Sequence, residues 1–450
     1  MKLTILGGGG FRVPLVHRAL LADEGPGRVT DLVLHDLDPR RLRTIGRVLD
    51  DAEKLSGKLG PRVHLETDLE TALQGTDFVF SAIRVGGLAG RVCDERAALA
   101  RGVLGQETTG AGGICYGLRT VPVAMRIAET VRRVAPDAYV INFTNPAGMV
   151  TEAMSRILGD RVVGICDSPV GMFKRVARAL GVDADHAVFD YAGLNHLGWL
   201  RRVLVNGQDV LPRLLHDPTA LLTTEEGRLF GTEWLASLGT VPNEYLWYWY
   251  YTSEAISALD RAGSTRGEVL LEQQRDFWDG ETGESAPDGA FAQWERARLE
   301  REASYMADSR EATDGGERAQ EDLDGGGYDR VALQLMRAVA RDERTTLVLN
   351  VPNGHTLAGL DPDAVVEVPC AVDANGWRPF ATAPLDPHAF GLVSTMKAVE
   401  RSTIDAAISG SYSTAVKALA LHPLVGSVTV ARGILDAQLS ALPDLRSVLG

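Results

Sequence analysis

The chain has 450 residues, 45% hydrophobic and 24% charged, and a net charge of -14 from 46 basic and 60 acidic side chains. That length supports a large core and about two domains. An acidic balance of this size repels nucleic acid and anionic membrane unless a local basic patch intervenes, and the sequence carries no such patch.

The elements read in chain order as follows. Leu3–Leu6 is a strand that runs into the turn Gly7-Gly8-Gly9-Gly10. Val13–Leu21 has helical apolar spacing, and Pro14 is tolerable in a first turn. Asp31–His35 is a second strand, closed by Asp36. Strand, glycine turn and helix form a cradle for a pyrophosphate. An acidic residue ending the second strand then holds the adenosine ribose hydroxyls, so Gly7, Gly8, Gly9, Gly10 and Asp36 point to a bound dinucleotide. The third glycine of that fingerprint is missing, with Arg12 and Val13 in its place. The bland alternative is a tight turn and a solvated carboxylate.

Pro39–Leu55 reads as a charged helix, Arg62–Leu65 and Thr76–Ala82 as strands, Val121–Val134 as a helix, and Ala138–Phe143 and Arg161–Cys166 as further strands. Strands alternating with helices imply right-handed crossovers and a mostly parallel sheet. Ligands of such sheets lie beyond the carboxyl ends of the strands, which singles out Arg84, Asn142–Asn145 and Cys166 besides the glycine turn. The expected fold class is therefore α/β and Rossmann-like, with a nucleotide-binding domain over residues 1–165 and a second, α+β domain over 166–450.

In that second part, His186–Ala192 and Leu200–Val205 read as antiparallel strands, and Gly263–Glu284 and Phe291–Arg310 as helices with polar faces. Asp308–Gly327 is acidic and glycine-rich and reads as a surface loop. Leu347–Leu349, Val365–Cys370 and the stretch around Trp377 suggest strands. His388–Leu442 is helical, and its helices could pack back on the first domain. The four cysteines, Cys93, Cys115, Cys166 and Cys370, are too widely spaced for a disulfide scaffold or zinc ribbon. No stretch nears a membrane span and no signal peptide is visible, so a reducing, cytoplasmic setting is expected.

Several side chains could carry chemistry. Cys166 ends a strand, and His196 lies in Gly193-Leu194-Asn195-His196, a polar break between strand-like runs. Spacing alone favours a buried cysteine and a core histidine. Yet a thiolate and an imidazole accept several divalent metals, and a site with only two protein donors leaves positions open for substrate oxygens. The aromatic run Val241–Tyr251 reads as a core or interface helix; its first tyrosine, Tyr245, sits beside Asn243 and Glu244. A tyrosine acts as a base only when its pKa falls well below about 10, for instance beside a metal ion. Arg84, Arg91, Arg119 and Arg266 are the candidate anion holders, because a planar guanidinium can donate two parallel hydrogen bonds to phosphate.

Leu6-Gly7-Gly8-Gly9-Gly10, Ile83–Gly87, Gln106–Arg119, Asn142–Gly148, Cys166–Met172, Gly193–His196 and Val365–Cys370 together resemble glycoside hydrolase family 4, in that family's order over most of the chain. The resemblance implies a lactate/malate dehydrogenase-like fold and hydrolysis that depends on NAD and a divalent metal, usually manganese. Its reaction oxidises the sugar at C3, removes the C2 proton, eliminates the leaving group, adds water and re-reduces C3. By matching motifs it implies Cys166 and His196 as metal ligands, Tyr245 as base and Asp167 as leaving-group acid. Arg91, Asn145 and Arg266 are its substrate contacts, with Arg266 on phosphate, and Arg84 joins the glycine turn and Asp36 at the cofactor. The implied substrate is a phosphosugar, and the implied assembly a homodimer or homotetramer with neither nucleic acid nor membrane as partner. Gln106–Arg119 and Val241–Tyr250 resemble the 6-phospho-β-glucosidases of the family; Cys166-Asp167-Ser168-Pro169 lies nearer the 6-phospho-α-glucosidases. The β activity is expected, with the α activity or a simple NAD-dependent dehydrogenase as alternatives.

Overall fold

The computed structural model describes residues 1–279, 289–306, 309–310, 313 and 327–449. The strands are β1 (Lys2–Leu6), β2 (Asp31–His35), β3 (Arg62–Glu66), β4 (Phe78–Ser81), β5 (Tyr139–Asn142), β6 (Val162–Gly164), β7 (Val188–Leu194), β8 (Leu197–Val205), β9 (Gln208–Asp209), β10 (Val241–Pro242), β11 (Thr345–Pro352), β12 (Val365–Asp373) and β13 (Gly376–Pro379). They form one sheet, ordered β10-β8-β7-β12-β11-β6-β5-β4-β1-β2-β3, with β13 on β12 and β9 on β8. From β3 to β6 all pairs are parallel, in the 3-2-1-4-5-6 order of a dinucleotide-binding fold. The class is α/β and Rossmann-like. β6 then meets β11 antiparallel at Gly164 and Asn350, and the remaining pairs are antiparallel. The sheet thus changes character beside residue 165 without a break in its hydrogen bonding.

The central strands are buried on both faces, β4 at every residue and β1 at all but its first. That explains why they read as unbroken apolar runs rather than alternating ones: helices cover both faces of the sheet. Trp199, Trp247, Trp294, Tyr116, Tyr191 and Tyr328 are among the largest fully buried side chains, and each large apolar side chain contributes about 1.5–3 kcal/mol on burial. The C-terminal helices Pro387–Ser409, Tyr412–Leu421 and Pro443–Leu449 pack on the helix Ala111–Val134, through a second core that includes Leu118, Met149, Val399, Ile404 and Leu419. No described helix is long and apolar enough to cross a membrane.

Several elements differ from the sequence reading. The helix expected over Val121–Val134 begins at Ala111. Gly112, Gly113, Gly117 and Pro122 argue against a helix interior on propensity alone. Here the glycines answer to packing: a Cβ on Gly112 would sit 2.0 Å from the Gln106 carbonyl oxygen, and one on Gly113 would sit 2.3 Å from that of Thr108. The loop 106–109 can lie on the helix only because those side chains are missing. The aromatic run is likewise not one helix. It splits into β10, a 3₁₀ turn over Glu244–Leu246 and a single helical turn over Trp247–Tyr250. Finally, the helix expected over Phe291–Arg310 runs from Gly289 to Ala303 and then turns. The helix expected over Gly263–Glu284 is seen as Arg266–Asp279, with residues 280–284 outside the described residues, as is most of Asp308–Gly327.

Candidate active site

A cleft of about 1200 Å³ opens at the carboxyl ends of β1, β4, β5 and β6. It is lined by Gly7, Gly10, Asp36, Arg84, Arg91, Asn145, Cys166, Asp167, His196, Tyr245 and Arg266. Two of the expected site residues lie elsewhere. Gly8 faces the backbone of β2 at Leu34 and His35, and Gly9 packs on Arg41 and Asp36.

The nucleotide end is built from the turn after β1. Gly7 has φ +82°, and its N–H donates to the His35 carbonyl at 3.0 Å. A Cβ there would approach the Ala82 carbonyl oxygen to 2.6 Å, so only glycine fits between these strands. Asp36 accepts from the Gly9 N–H through Oδ2 and from the Asp38 N–H through Oδ1, both at 3.1 Å. Each carboxylate oxygen retains a lone pair for a ribose hydroxyl. Arg41 lies 4.4 Å from the Trp278 ring beside it, and both line the cleft. A glycine cradle with a carboxylate at its edge fits an adenine dinucleotide.

At the other end, Cys166 Sγ lies 3.6 Å from His196 Nε2. Cys166 follows the end of β6, and His196 meets it because β7 and β8 form a tight hairpin whose turn is Asn195-His196. His196 has φ +62°, a left-handed conformation that costs a non-glycine residue about 1–3 kcal/mol and marks functional turns. The turn is held from below. Glu367 on β12, fully buried, accepts from Asn195 Nδ2, Asn350 Nδ2 and the Tyr191 hydroxyl, each at 3.0 Å. Burial nevertheless pushes Glu367 up to about 7.

Thr108 also orients the imidazole: its Oγ1 lies 2.8 Å from His196 Nδ1 and 3.3 Å from Gln106 Oε1. With the ring hydrogen on Nδ1, the Nε2 lone pair faces the sulfur. Burial pushes the His196 pKa down to about 4, which keeps the ring neutral, and burial with Glu367 and Asp167 nearby pushes the Cys166 thiol up. Among the described residues no group of three or more His, Cys, Asp and Glu side chains suits a metal. A neutral imidazole facing a sulfur fits a divalent cation with open positions toward the cleft, and a bound cation would reverse the thiol shift.

Tyr245 covers this pair. Its ring stacks on His196 with centroids 3.6 Å apart and planes 5° from parallel. Burial, then Glu244, pushes its pKa up. Tyr305, which no motif indicated, reaches its hydroxyl at 3.1 Å.

The arginines divide by partner. Against the cost of burial, Arg84 and Arg91 hold the Glu107 carboxyl well below the usual carboxylate range, and Arg91 also pairs with Glu95 at 2.7 Å. Arg119 forms a bidentate, buried pair with Asp94, both contacts at 2.7 Å. Arg266 donates to Ser304 Oγ at 2.8 Å and to the Arg301 carbonyl at 2.9 Å. Arg12, noted in the sequence only as standing in place of the third glycine, and Arg301, which no motif indicated, line the same cleft. Burial, with repulsion from Arg12, Arg266 and Arg84 that Glu302 only partly offsets, pushes Arg301 down to about 9. Crowded cations of this kind call for an anion. Glu107 and Thr108 were hidden in the Gln106–Thr109 motif, whose physical purpose becomes visible only when the loop is seen lying on Gly112 and Gly113.

Residues 2–182 match the family 4 glycosyl hydrolases, and residues 191–425 match the C-terminal domain of that family. The chain is 33% identical over 456 residues to a probable 6-phospho-beta-glucosidase of Bacillus subtilis, covering 98% of this chain and 96% of the relative. It is 31% identical over 466 residues to 6-phospho-alpha-glucosidase 1 of Lacticaseibacillus paracasei, covering 98% and 97%. Its fold is similar, with a TM-score of 0.82, to the 6-phospho-beta glucosidase of Thermotoga maritima solved with manganese, NAD+ and glucose-6-phosphate, at 26% identity over 99% of each chain. The paired glycine cradle and cysteine–histidine site, on one Rossmann-like sheet, sit in a chain that belongs to family 4 of the glycosyl hydrolases.

Proposed function

We propose that this protein hydrolyses 6-phospho-β-glucosides with NAD and a divalent metal such as manganese. The observation that carries this reading is the 3.6 Å approach of Cys166 Sγ to His196 Nε2 in the cleft that also holds the glycine turn and Asp36. Bound together, NAD would supply a reversible hydride acceptor and the metal a positive charge that acidifies the sugar C2 proton. The protein supplies the rest. Gly7, Gly10 and Asp36 hold the dinucleotide, and Arg84, clamped by Glu107, flanks it. Arg91 and Asn145 orient the sugar. Tyr245 takes the C2 proton, and Asp167 holds a proton for the departing oxygen. Arg266, with Arg301 and Arg12, holds the 6-phosphate.

Relatives of both anomeric types are about equally similar, and Asp167 favours the α activity as the second reading. Because C3 oxidation followed by elimination does not itself prefer one anomer, the pocket decides. The test is hydrolysis of p-nitrophenyl β- and α-glucoside 6-phosphates, with and without NAD+ and Mn2+. The β substrate should turn over faster and need both additions. Faster turnover of the α substrate would transfer the assignment, and full activity after chelation and nucleotide removal would end it. Net NADH accumulation without sugar release would instead point to a dehydrogenase.

Arg266→Ala is expected to lower kcat/KM for the phosphorylated substrate by about 10- to 150-fold, the effect of losing about 1.5–3 kcal/mol of charged hydrogen bonding, and to spare the unphosphorylated glucoside. Equal losses on both would remove Arg266 from phosphate binding. A cytoplasmic location, consistent with four free thiols, and a homodimeric or homotetrameric assembly complete the reading.

A further inference from the structure

Tyr305 follows the helix Gly289–Ala303, and Met306 then turns the chain with φ +51°. Its hydroxyl lies 2.7 Å from Glu244 Oε1 and 3.1 Å from the Tyr245 hydroxyl. A phenol has one proton to donate, and a carboxylate is the stronger acceptor. Tyr305 therefore donates to Glu244, and Tyr245 donates to the Tyr305 oxygen. Glu244 is held on its far side, with Oε2 3.5 Å from Arg175 Nη2 and Oε1 3.4 Å from the Ser168 hydroxyl, which donates to it. Arg175 also grips Glu226 at 2.5 Å. The result is a directed chain of hydrogen bonds leading from the Tyr245 hydroxyl to Glu244 along the wall of the cleft, which all three residues line.

We propose that Tyr305 and Glu244 are positioning residues that act through Tyr245 as a concerted proton relay. This rests on the reading of Tyr245 as the group that meets C2. As the C2–H bond breaks, its proton joins the Tyr245 oxygen, the Tyr245 proton passes to the Tyr305 oxygen, and the Tyr305 proton passes to Glu244 Oε1. The electron pair of the C–H bond stays on the sugar. Three protons move, no oxidant is needed, and neither tyrosine is left charged. The relay runs backward before the next turnover.

The test uses the enzyme with NAD+ and Mn2+ and substrate deuterated at C2, which makes this step slower. In the unaltered protein, kcat in mixtures of H2O and D2O should vary along a curve, because two exchangeable protons move together. Tyr305→Phe should lower kcat by about 100-fold, leave KM unchanged, raise the C2 isotope effect and make the solvent dependence linear. Glu244→Gln should lower kcat with the same signature, and decides the matter should Tyr305→Phe fail to fold, as judged by NAD+ binding. Unchanged kcat and isotope effects in folded Tyr305→Phe and Glu244→Gln, beside a dead Tyr245→Phe, would overturn the relay and leave the base in place. C2 exchange surviving in Tyr245→Phe would overturn both.

Discussion

Replacing Cys166 by alanine is expected to weaken Mn2+ binding by more than about 100-fold and to abolish turnover, with NAD+ affinity kept. Losing a hydrogen bond behind a metal ligand already costs about 10–100-fold, and this substitution removes one of the two proposed donors themselves. The remaining imidazole cannot compensate, because Thr108 and the hairpin turn fix its direction. Cys166→Ser offers an oxygen in place of the softer sulfur and should fall between the two. Titration of Mn2+ followed by its electron paramagnetic resonance signal reads the affinity directly, and quenching of protein fluorescence by NAD+ reports that the cleft has folded. Equal Mn2+ affinity in the alanine variant would make Cys166 a structural thiol and remove the observation on which the functional reading stands.

Replacing Tyr245 by phenylalanine is expected to lower kcat by about 100- to 10,000-fold, or about 2.7–5.4 kcal/mol, the usual contribution of a positioned proton acceptor. Phenylalanine keeps the ring that stacks on His196, so Mn2+ and NAD+ should bind as before. What disappears is one oxygen and its link to Tyr305. Exchange of a C2 deuterium with solvent should stop along with turnover. If exchange continues at the original rate, another group removes that proton. Burial and Glu244 hold the Tyr245 phenol in its neutral form, so the side chain needs a neighbouring cation or an outlet for its own proton before it can accept another.

Much of the fold was legible because local patterns and tertiary outcome agree. β1, the glycine turn and Asp36 form one contiguous unit whose chemistry depends on residues close in sequence. The parallel strands announced themselves as apolar runs since both faces of the sheet are covered. The aromatic run misled for the opposite reason: its apolar character fits a helix, a strand or a turn, and the hydrogen bonds of β10 to β8 and the Asn243 cap of Tyr245 decided among them. The start of the helix at Ala111 was masked by glycines whose purpose is contact with a loop, which propensity does not register.

The chain of amino acids by itself determined the parallel Rossmann-like half, the net acidic charge and which side chains are candidates for holding a dinucleotide and a cation, because each depends on composition or on neighbours a few residues apart. Only the tertiary structure decided that Cys166 faces His196, that Glu107 serves two arginines, and that Arg301 and Tyr305 enter the cleft. Those meetings depend on the β7–β8 hairpin, on the 106–109 loop that lies on the helix from Ala111 and on a helix that returns over the cleft, and distances set by such long-range packing leave no periodic trace in the order of residues.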